Sequence, residues 1–123
     1  MSNTNRTKGH KAETYYAKIF RELGYDKCVT SRYGSRQHDD CAIDLINIPI
    51  NVQVKAGKQR GMNPGLILRE MDKRLAEAFP EDAKEHNQPN IVIHKKEPGK
   101  GNKRDKYDEI VTMSFEDYIE LIR

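Results

Sequence analysis

Apolar residues recur along the chain with two different periods, which predict two kinds of element. Over residues 8–23 they recur every three or four positions, as on one face of a helix, and Gly24 follows as a stop signal. The same period predicts a second helix over residues 64–79, where Pro64 suits the first turn. A third helix is predicted to follow Ser114, which can cap it, and its apolar stripe is expected to pack against the core.

Shorter apolar runs between the helices predict five strands. We place them near residues 27–32, 42–47, 51–56, 90–94 and 107–114. Pro49 lies at the turn between the second and third strands, where a missing N–H costs little, and residues 33–40 are expected to form a polar loop. The order α-β-β-β-α-β-β-α predicts an α/β fold, with a central mixed sheet flanked by helices, in one domain spanning residues 1–123.

The predicted hairpin carries unusual polar residues on one face. Side chains alternate along a strand, so one face is expected to be apolar and to suit a core; it holds Ile43, Leu45, Val52 and Val54. The other face is polar and holds Asp44, Asn51, Gln53 and Lys55. Cross-strand neighbours have Cβ atoms roughly 5 Å apart, so a carboxylate, an amide and an ammonium group are expected to lie close together.

Such a set of side chains suits metal-assisted cleavage of a phosphodiester. Asp44 offers a hard anionic oxygen of the kind that Mg²⁺ prefers, and the Gln53 carbonyl offers a neutral one. Lys55 can orient the attacking water or neutralise charge on the pentavalent phosphate. The pattern leaves an alternative open, which is an ordinary solvent-facing strand with an Asp–Lys pair.

The distribution of charge is a second indication of phosphate binding. The formal net charge is +3, and basic residues concentrate in residues 1–12 and 94–106, whereas the stretch 108–123 is acidic. Clustered Lys and Arg can bind a polyanion such as nucleic acid. A solvated loop with no ligand would carry the same residues, so charge alone does not decide between the two.

Composition narrows the class of protein further. Cys28 and Cys41 are too few for a disulfide framework and are expected to be buried, and the four histidines are too scattered for a zinc site. The sequence contains no secretory h-region and no apolar run of the roughly 20 residues that a membrane span needs. We therefore expect a cytoplasmic protein without a membrane partner.

The order of the polar residues resembles the PD-(D/E)XK nuclease superfamily. The matching pieces are Gly9-x-x-x-Glu13 on the first helix, Asp44 on a strand, and Gln53-Val54-Lys55 on the next strand. Within the superfamily the pattern is most similar to small Holliday-junction resolvases of the archaeal type and to related phage endonucleases. The resemblance implies a restriction-endonuclease-like fold and a Mg²⁺-dependent endodeoxyribonuclease, with Mn²⁺ able to substitute.

The same resemblance implies the partners and the setting. The expected substrate is four-way or branched DNA, the process is DNA recombination, and a phage-encoded protein acting in the host cytoplasm would fit. Because a junction presents two symmetry-related cleavage points, a homodimer with twofold symmetry is expected.

The resemblance also assigns a role to each matching residue. It makes Glu13, Asp44 and Gln53 the metal ligands, and it makes these three residues and Lys55 the catalytic set. The basic loop 95–106 is expected to hold DNA through phosphate contacts. Further contacts to the DNA backbone are expected from Lys8, Arg32, Ser35, Arg36, Lys58 and Arg60.

Two positions depart from the family pattern. Gln53 stands where a glutamate is usual, and Ile43 precedes Asp44 where the motif's name has proline. Since a neutral amide should bind a cation less tightly than a carboxylate does, a further acid is expected to help, and either Asp39 or Asp40 could supply it. Three other hypotheses stay open: a nuclease for plain duplex DNA, a non-catalytic DNA-binding module on the same fold, and a structural protein with no DNA role.

Overall fold

The computed structural model describes residues 2–57, 62–96 and 101–123, with side chains described from residue 9 onward. The helices in these ranges are α1 (Ser2–Glu22), α2 (Ser31–Gly34), α3 (Arg36–Asp40), α4 (Pro64–Ala78) and α5 (Phe115–Ile122). The strands are β1 (Val29–Thr30), β2 (Leu45–Ile46), β3 (Asn51–Ala56), β4 (Asn90–Lys95) and β5 (Glu109–Thr112). Short 3₁₀ turns precede the last two strands, at Lys84–Asn87 and Lys106–Asp108.

The five strands form one mixed sheet in the order β1-β2-β3-β4-β5. Neighbouring strands are antiparallel except β3 and β4, which run parallel. A parallel pair requires a crossover connection, and α4 lies within it. The α/β class, the mixed sheet and the order of strands and long helices are therefore confirmed. None of the helices within the described ranges combines the length and the apolar character needed to cross a membrane.

One face of the sheet packs against α1. The helix contributes Ala12, Tyr16 and Ala17, all buried and spaced as one helix face. The sheet contributes buried apolar side chains from three strands, namely Leu45, Val52, Val54, Ile91 and Ile93. Burying a large aliphatic side chain contributes roughly 1.5–3 kcal/mol, so this cluster fixes α1 on the sheet.

The opposite face packs against α4. Asn63 caps this helix by accepting a hydrogen bond from the Leu66 N–H at 3.1 Å, and Pro64 occupies its first turn. The side of α4 that faces the sheet contributes Met71 and Leu75, both buried. They pack with the buried side chains of Cys41 and Ile43.

The segment that leads into the hairpin differs from its sequence prediction. Residues 33–40, expected to be a loop, belong largely to α2 and α3, and Ser35 caps α3 by accepting a backbone hydrogen bond at 3.3 Å. Ile43 packs on the α4 side and not on the face of Val52 as predicted. The reason is a turn in the backbone at Ala42, which adopts a φ of 62° just before β2.

Other boundaries shift as well. α1 begins at Ser2, six residues before the predicted start of this helix at residue 8. β2 is shorter than predicted. It begins at Leu45, so Asp44 lies just before the strand, and Asn47 adopts a φ of 68° and ends it. Asn51, predicted on the open polar face, is buried, and its Nδ2 donates to the Glu85 carbonyl at 2.8 Å.

A buried carboxylate fastens α3 to the segment before β4. Glu85 is 5% exposed, and its Oε2 lies 2.7 Å from His38 Nε2. Burial by itself raises the pKa of Glu85, but the hydrogen bond and charge of His38 outweigh it, and the net pKa is lowered. On its other side, His38 Nδ1 lies 2.7 Å from Ser35 Oγ, so the imidazole is held at both nitrogens.

Replacing His38 with Ala should destabilise the protein by about 3 kcal/mol, because Glu85 is then buried without its partner. The free energy of urea unfolding at pH 7 measures the loss. His86→Ala is the matched control: His86 is exposed, its Nε2 lies 3.2 Å from the Phe79 carbonyl, and its loss should cost less than about 0.5 kcal/mol. Equal losses in the two variants would show that the His38–Glu85 pair contributes nothing of its own.

Candidate functional site

The backbone and side chain of Asp44 are both held by neighbouring strands. Its N–H donates to the Val52 carbonyl at 2.7 Å, and its carbonyl accepts from the Ser31 N–H at 2.8 Å. Its side-chain Oδ2 accepts from the Val54 N–H at 2.7 Å. The carboxylate therefore has a fixed position against β3, with its second oxygen left for another partner.

The pKa of Asp44 depends on burial and on the charges around it. Burial, followed by the negative charge of Glu13, raises the pKa of Asp44 to about 7, although the Val54 N–H and the Lys55 ammonium oppose the rise. The charge of Asp39 adds a smaller upward contribution. Charges on α1, α3 and β3 thus act on one carboxylate, among them those of Glu13 and Lys55.

Glu13 reaches this cluster from the rim of α1. It follows Ala12, which packs on the sheet, and it is itself only partly buried. Burial raises the pKa of Glu13, the positive charge of Arg32 lowers it, and the charge of Asp39 raises it further. Two carboxylates, Glu13 and Asp44, are therefore both shifted toward their neutral forms by burial and by negative neighbours.

The structure distinguishes between Asp39 and Asp40. Asp39 Oδ1 lies 3.4 Å from Ser31 Oγ, and its charge acts on both Glu13 and Asp44. Asp40 forms an exposed pair with Arg36 at 3.9 Å. Asp39 is consequently the acid on the side of the cluster, which the sequence alone left undecided.

Gln53 is adjacent to the cluster through its place in the sheet. The pairing of Leu45 with Val52 puts Gln53 across from Asp44 when the register is extended by one residue. Alternation along β3 puts Gln53 on the same side as Lys55, opposite Val54. Its side chain borders a shallow cavity against α4, which is lined by Ala42, Leu66, Ile67, Glu70, Met71 and Arg74.

Arg32 carries unused hydrogen-bonding capacity beside the acids. Its Nε and Nη1 atoms are buried and have no hydrogen-bond partner among the described residues. Its Cζ lies 4.9 Å from the centre of the Tyr33 ring, and its charge acts on Glu13. Buried polar groups without a partner are rare and cost free energy, so these two N–H groups are suited to an anionic ligand.

The other predicted DNA-contacting residues fall into two groups. Ser35 is engaged with His38 and with the N-terminus of α3, whereas Arg36 is exposed and pairs with Asp40. The remaining predictions concern parts outside the described structure; these are the side chain of Lys8 and the residues Lys58 and Arg60. Part of the basic loop, residues 97–100, also lies outside it.

The acid pair has the chemistry of a site for Mg²⁺. Among the described residues, no three His, Cys, Asp or Glu side chains lie close enough together to hold a cation by themselves. Mg²⁺ does not require such a cage, since it is often bound by one or two carboxylates together with waters and substrate phosphates. Glu13 and Asp44 provide two carboxylates whose repulsion a cation would relieve, and Gln53, across from Asp44 in the sheet register, provides an amide oxygen.

Comparison with known proteins gives no further indication of function, because no protein-family model, no curated protein and no solved structure matches the chain. The resemblance to PD-(D/E)XK nucleases therefore rests on the residues and their arrangement. The site is defined by two partly buried acids, a lysine on the adjoining strand, and an arginine with unpartnered N–H groups.

Proposed function

We propose that the protein is a Mg²⁺-dependent endodeoxyribonuclease that acts on branched DNA, with a four-way junction as its preferred substrate. The observation that supports the proposal is a carboxylate held against β3, Asp44, on which the charges of Glu13 and Lys55 both act and whose pKa is raised to about 7. A solvent-facing Asp–Lys pair would have no reason to bury its acid beside a second one. Shifted carboxylates in a partly enclosed cluster are typical of functional sites.

Ionising Asp44 beside the negative charge of Glu13 costs free energy, and a bound divalent cation would remove this cost. The negative charge of Glu13 raises the affinity of Asp44 for protons, the charge of Asp39 raises that of both acids, and at neutral pH a cation competes with those protons. Bound Mg²⁺ would polarise the scissile phosphate and favour an attacking hydroxide. Glu13, Asp44 and the Gln53 amide would hold it, which agrees with the preference of Mg²⁺ for oxygen ligands.

The positively charged side chains of Lys55 and Arg32 have separate roles in the proposed reaction. A water oxygen attacks phosphorus and gives up a proton to solvent, a P–O bond to one sugar breaks, and the leaving oxygen takes up a proton from solvent. Lys55 donates hydrogen bonds to the attacking water or to a non-bridging phosphate oxygen, and its charge offsets the charge that develops on the phosphate. Arg32, with its buried unpartnered Nε and Nη1, binds a second phosphate oxygen and fixes the DNA backbone.

A wider basic surface would hold the arms of the DNA. Lys96, Lys103, Arg104 and Lys106 are all exposed near the start of β5. Contacts of this kind release counterions, so DNA binding should weaken steeply as salt is added. They are sequence-independent and would suit recognition of DNA shape.

The restriction-endonuclease-like architecture belongs to the same proposal. In its support, the N-terminal helix α1 carries an acid, and β3 carries Gln53 and Lys55. The connection between the parallel strands β3 and β4 contains α4. The antiparallel flanking strands complete a mixed sheet. This order is the one that the resemblance implies.

Cleavage of a set of labelled substrates tests the proposed function. A four-way junction, a forked duplex and a linear duplex of the same sequences are incubated with the protein and Mg²⁺. The junction should be nicked at symmetry-related positions and the linear duplex should be cut at least about tenfold more slowly, which corresponds to about 1.4 kcal/mol of discrimination. Equal rates on all three would indicate a duplex nuclease and refute junction preference.

The strongest alternative is a DNA-binding module without catalysis. The observation that favours it is Gln53, a neutral residue in the position where the nuclease motif has an acid. Such a module would shift the mobility of the junction in a salt-dependent way and would leave every substrate intact with either Mg²⁺ or Mn²⁺. A protein without a DNA role would cause no shift even at low salt.

A further inference from the structure

Tyr33 presents its aromatic ring to solvent close to the acid pair. It lies on the short helix α2 and is 83% exposed, the highest value for a large apolar side chain in the described part of the chain. An aromatic side chain offers roughly 150–250 Å² of surface for burial, but a single exposed one needs no explanation by itself. The position of Tyr33 beside the candidate site is what makes its exposure informative.

The backbone that carries Tyr33 is held against the strands. Ser31, at the start of α2, is buried, and its N–H donates to the Asp44 carbonyl at 2.8 Å. At the other end of α2, a Cβ on Gly34 would lie 2.6 Å from Ile46 Cδ1, so the absence of a side chain lets the turn approach β2 closely. Tyr33 lies between these two contacts, and its ring therefore projects from a turn that is packed at both ends.

The same turn brings the ring within one nucleotide of the candidate site. Ser31 and Tyr33 are two residues apart, so their Cα atoms are separated by at most about 7 Å. Ser31 contacts the backbone of Asp44, and the charge of Arg32 acts on Glu13. A nucleotide whose phosphate lies at the two acids can consequently bring its own base, or the base of its neighbour, to Tyr33.

Arg32 supplies the polar half of a nucleotide site. Its Cζ lies 4.9 Å from the centre of the Tyr33 ring, over one face of that ring. Its Nε and Nη1 are buried without a hydrogen-bond partner among the described residues, which suits an anionic oxygen. Because most of the Tyr33 side chain is exposed, the other face of its ring is open to a second planar group. Sites for single-stranded nucleic acid combine these two features, with cations for the backbone and aromatic rings for the bases.

We propose that Tyr33 is a stacking site for an unpaired nucleobase next to the scissile phosphate, with Arg32 binding the phosphate of that nucleotide. The inference rests on the proposed nuclease function and names the feature of branched DNA that the site recognises. In a continuous duplex every base is paired and stacked, and extruding one costs free energy. The cost is least for a base that is already unpaired or that borders a branch point, where the stack is interrupted. A ring at this position therefore favours a branch point over a linear duplex.

The charges near Tyr33 favour a nucleotide as the occupant. Arg32 precedes the ring in sequence, and the exposed Arg36 follows it. Arg36 forms an exposed pair with Asp40 at 3.9 Å, and pairs of this kind are weak enough for a phosphate to displace. Each base of a nucleic acid has a phosphate on either side, so two cations beside one ring match a nucleotide better than an apolar partner. The acids of the site oppose an anionic ligand, but the cation of the proposed function would offset their charge.

Photocrosslinking tests the contact without requiring cleavage. A forked duplex carries 5-iododeoxyuridine at one unpaired nucleotide of its branch point, and Ca²⁺ replaces Mg²⁺ during irradiation. Mass spectrometry of the digested product should identify Tyr33 as the crosslinked residue, and Tyr33→Leu should lose this crosslink. Tyr107 is the internal control, since it is 71% exposed and has Lys106 Nζ 4.9 Å from its ring centre, but it precedes β5 at the opposite edge of the sheet. A crosslink that forms at Tyr107, or one that Tyr33→Leu leaves intact, would overturn the proposal.

Equilibrium binding under the same conditions separates stacking from general affinity. Tyr33→Leu keeps an apolar side chain but removes the ring, and it should weaken binding to the fork at least about fivefold, the smallest effect expected when one stacked base is lost. Its binding to a linear duplex of the same sequence should be unchanged. Tyr33→Phe retains the ring and should bind the fork as the wild type does, and Tyr107→Leu should change neither affinity. Both tyrosines are exposed, so none of these variants disturbs the core.

The outcomes distinguish this inference from the proposed function. Equal weakening on the fork and on the linear duplex would indicate a general DNA contact and overturn the stacking site, as would a Tyr33→Phe variant that binds no better than Tyr33→Leu. If Tyr33→Leu cuts the junction with undiminished selectivity over the linear duplex, the proposed function stands and this inference fails. If no DNA is cut but the crosslink to Tyr33 forms, the proposed function fails and the stacking site stands.

Discussion

Asp44→Asn should reduce Mg²⁺-dependent cleavage of a four-way junction by at least about 10²-fold, and Lys55→Ala should do the same. The first change removes the carboxylate charge that would bind the cation, and the second removes the ammonium that would offset charge on the phosphate; losing one such group typically costs about 10²–10³-fold. The Asn side chain can still accept the hydrogen bond from the Val54 N–H, so the strand geometry should survive. Single-turnover cleavage measures the effect.

Binding of the junction must be measured alongside its cleavage, so that a loss of catalysis is distinguished from a loss of DNA binding. The gel-shift affinity of both variants for the junction should stay within about threefold of the wild type, because most of the affinity comes from other phosphate contacts. Asp40→Asn is the matched control, since Asp40 is exposed and pairs with Arg36, and it should cut at the wild-type rate. Undiminished cleavage by Asp44→Asn would remove Asp44 from the site and attribute the activity to a contaminant or to other residues.

The same substitution should make the metal-free protein more stable at alkaline pH. Burial and Glu13 raise the pKa of Asp44 from its ordinary value of 3.8 to about 7. Between these two values the folded protein holds a proton that the unfolded chain lacks, so stability falls as the pH rises from about 4 to about 7. Asp44→Asn abolishes this titration, and at pH 8 without divalent cations it should be more stable than the wild type by about 2–4 kcal/mol, given 1.36 kcal/mol per unit.

Urea unfolding at pH 5 and at pH 8 in the presence of EDTA measures this difference. The gain from Asp44→Asn should be less than half as large at pH 5, where Asp44 is ionised in the unfolded chain but still protonated in the folded protein, whereas Asp40→Asn should change little at either pH. Millimolar Mg²⁺ at pH 8 should stabilise the wild type and leave Asp44→Asn unaffected, because a ligand stabilises only the state that binds it. A wild-type stability that is flat between pH 5 and pH 8 would contradict the buried, proton-binding Asp44.

Burial at this site therefore opposes stability at the pH where the protein would act. A buried hydrophobic residue at position 44 would stabilise the fold more than an acid that must ionise beside Glu13. Sites at which a chain keeps such a cost are commonly functional. The unpartnered Arg32 N–H groups have the same character, since burying them without an acceptor also costs free energy.

Much of the fold could be predicted from the sequence because local pattern determines it. The 3.6-residue period gave α1, α4 and α5, and short apolar runs gave the strands, including β3 and β4 almost to the residue. Pro64 and Ser114 marked helix starts correctly, since Pro64 lies in the first turn of α4 and Ser114 Oγ accepts from the Asp117 N–H at 3.0 Å. These features depend on neighbours in the chain.

The predictions that failed depend on contacts between distant residues. α3 was missed because its stability comes partly from the His38–Glu85 contact, which joins positions 47 residues apart. Ile43 was assigned to the wrong face because a positive φ at Ala42 breaks the alternation of the strand. A fully polar segment such as RQHDD gives no periodic signal from which either feature could be inferred.

The sequence by itself determined which chemical groups are available: an acid on the first helix, an acid and a lysine on two adjoining strands, and arginines between them. Local periodicity was enough to order those elements along the chain. Only the tertiary structure decided that the charge of Asp39 acts on both acids and that, within the described residues, two N–H groups of Arg32 are buried without a hydrogen-bond partner. It also decided that no residue of α5 is buried, so its apolar stripe does not pack against the core as predicted. These outcomes depend on which surfaces are removed from water when helices close over the sheet, and burial is a property of the folded chain that no short stretch of sequence contains.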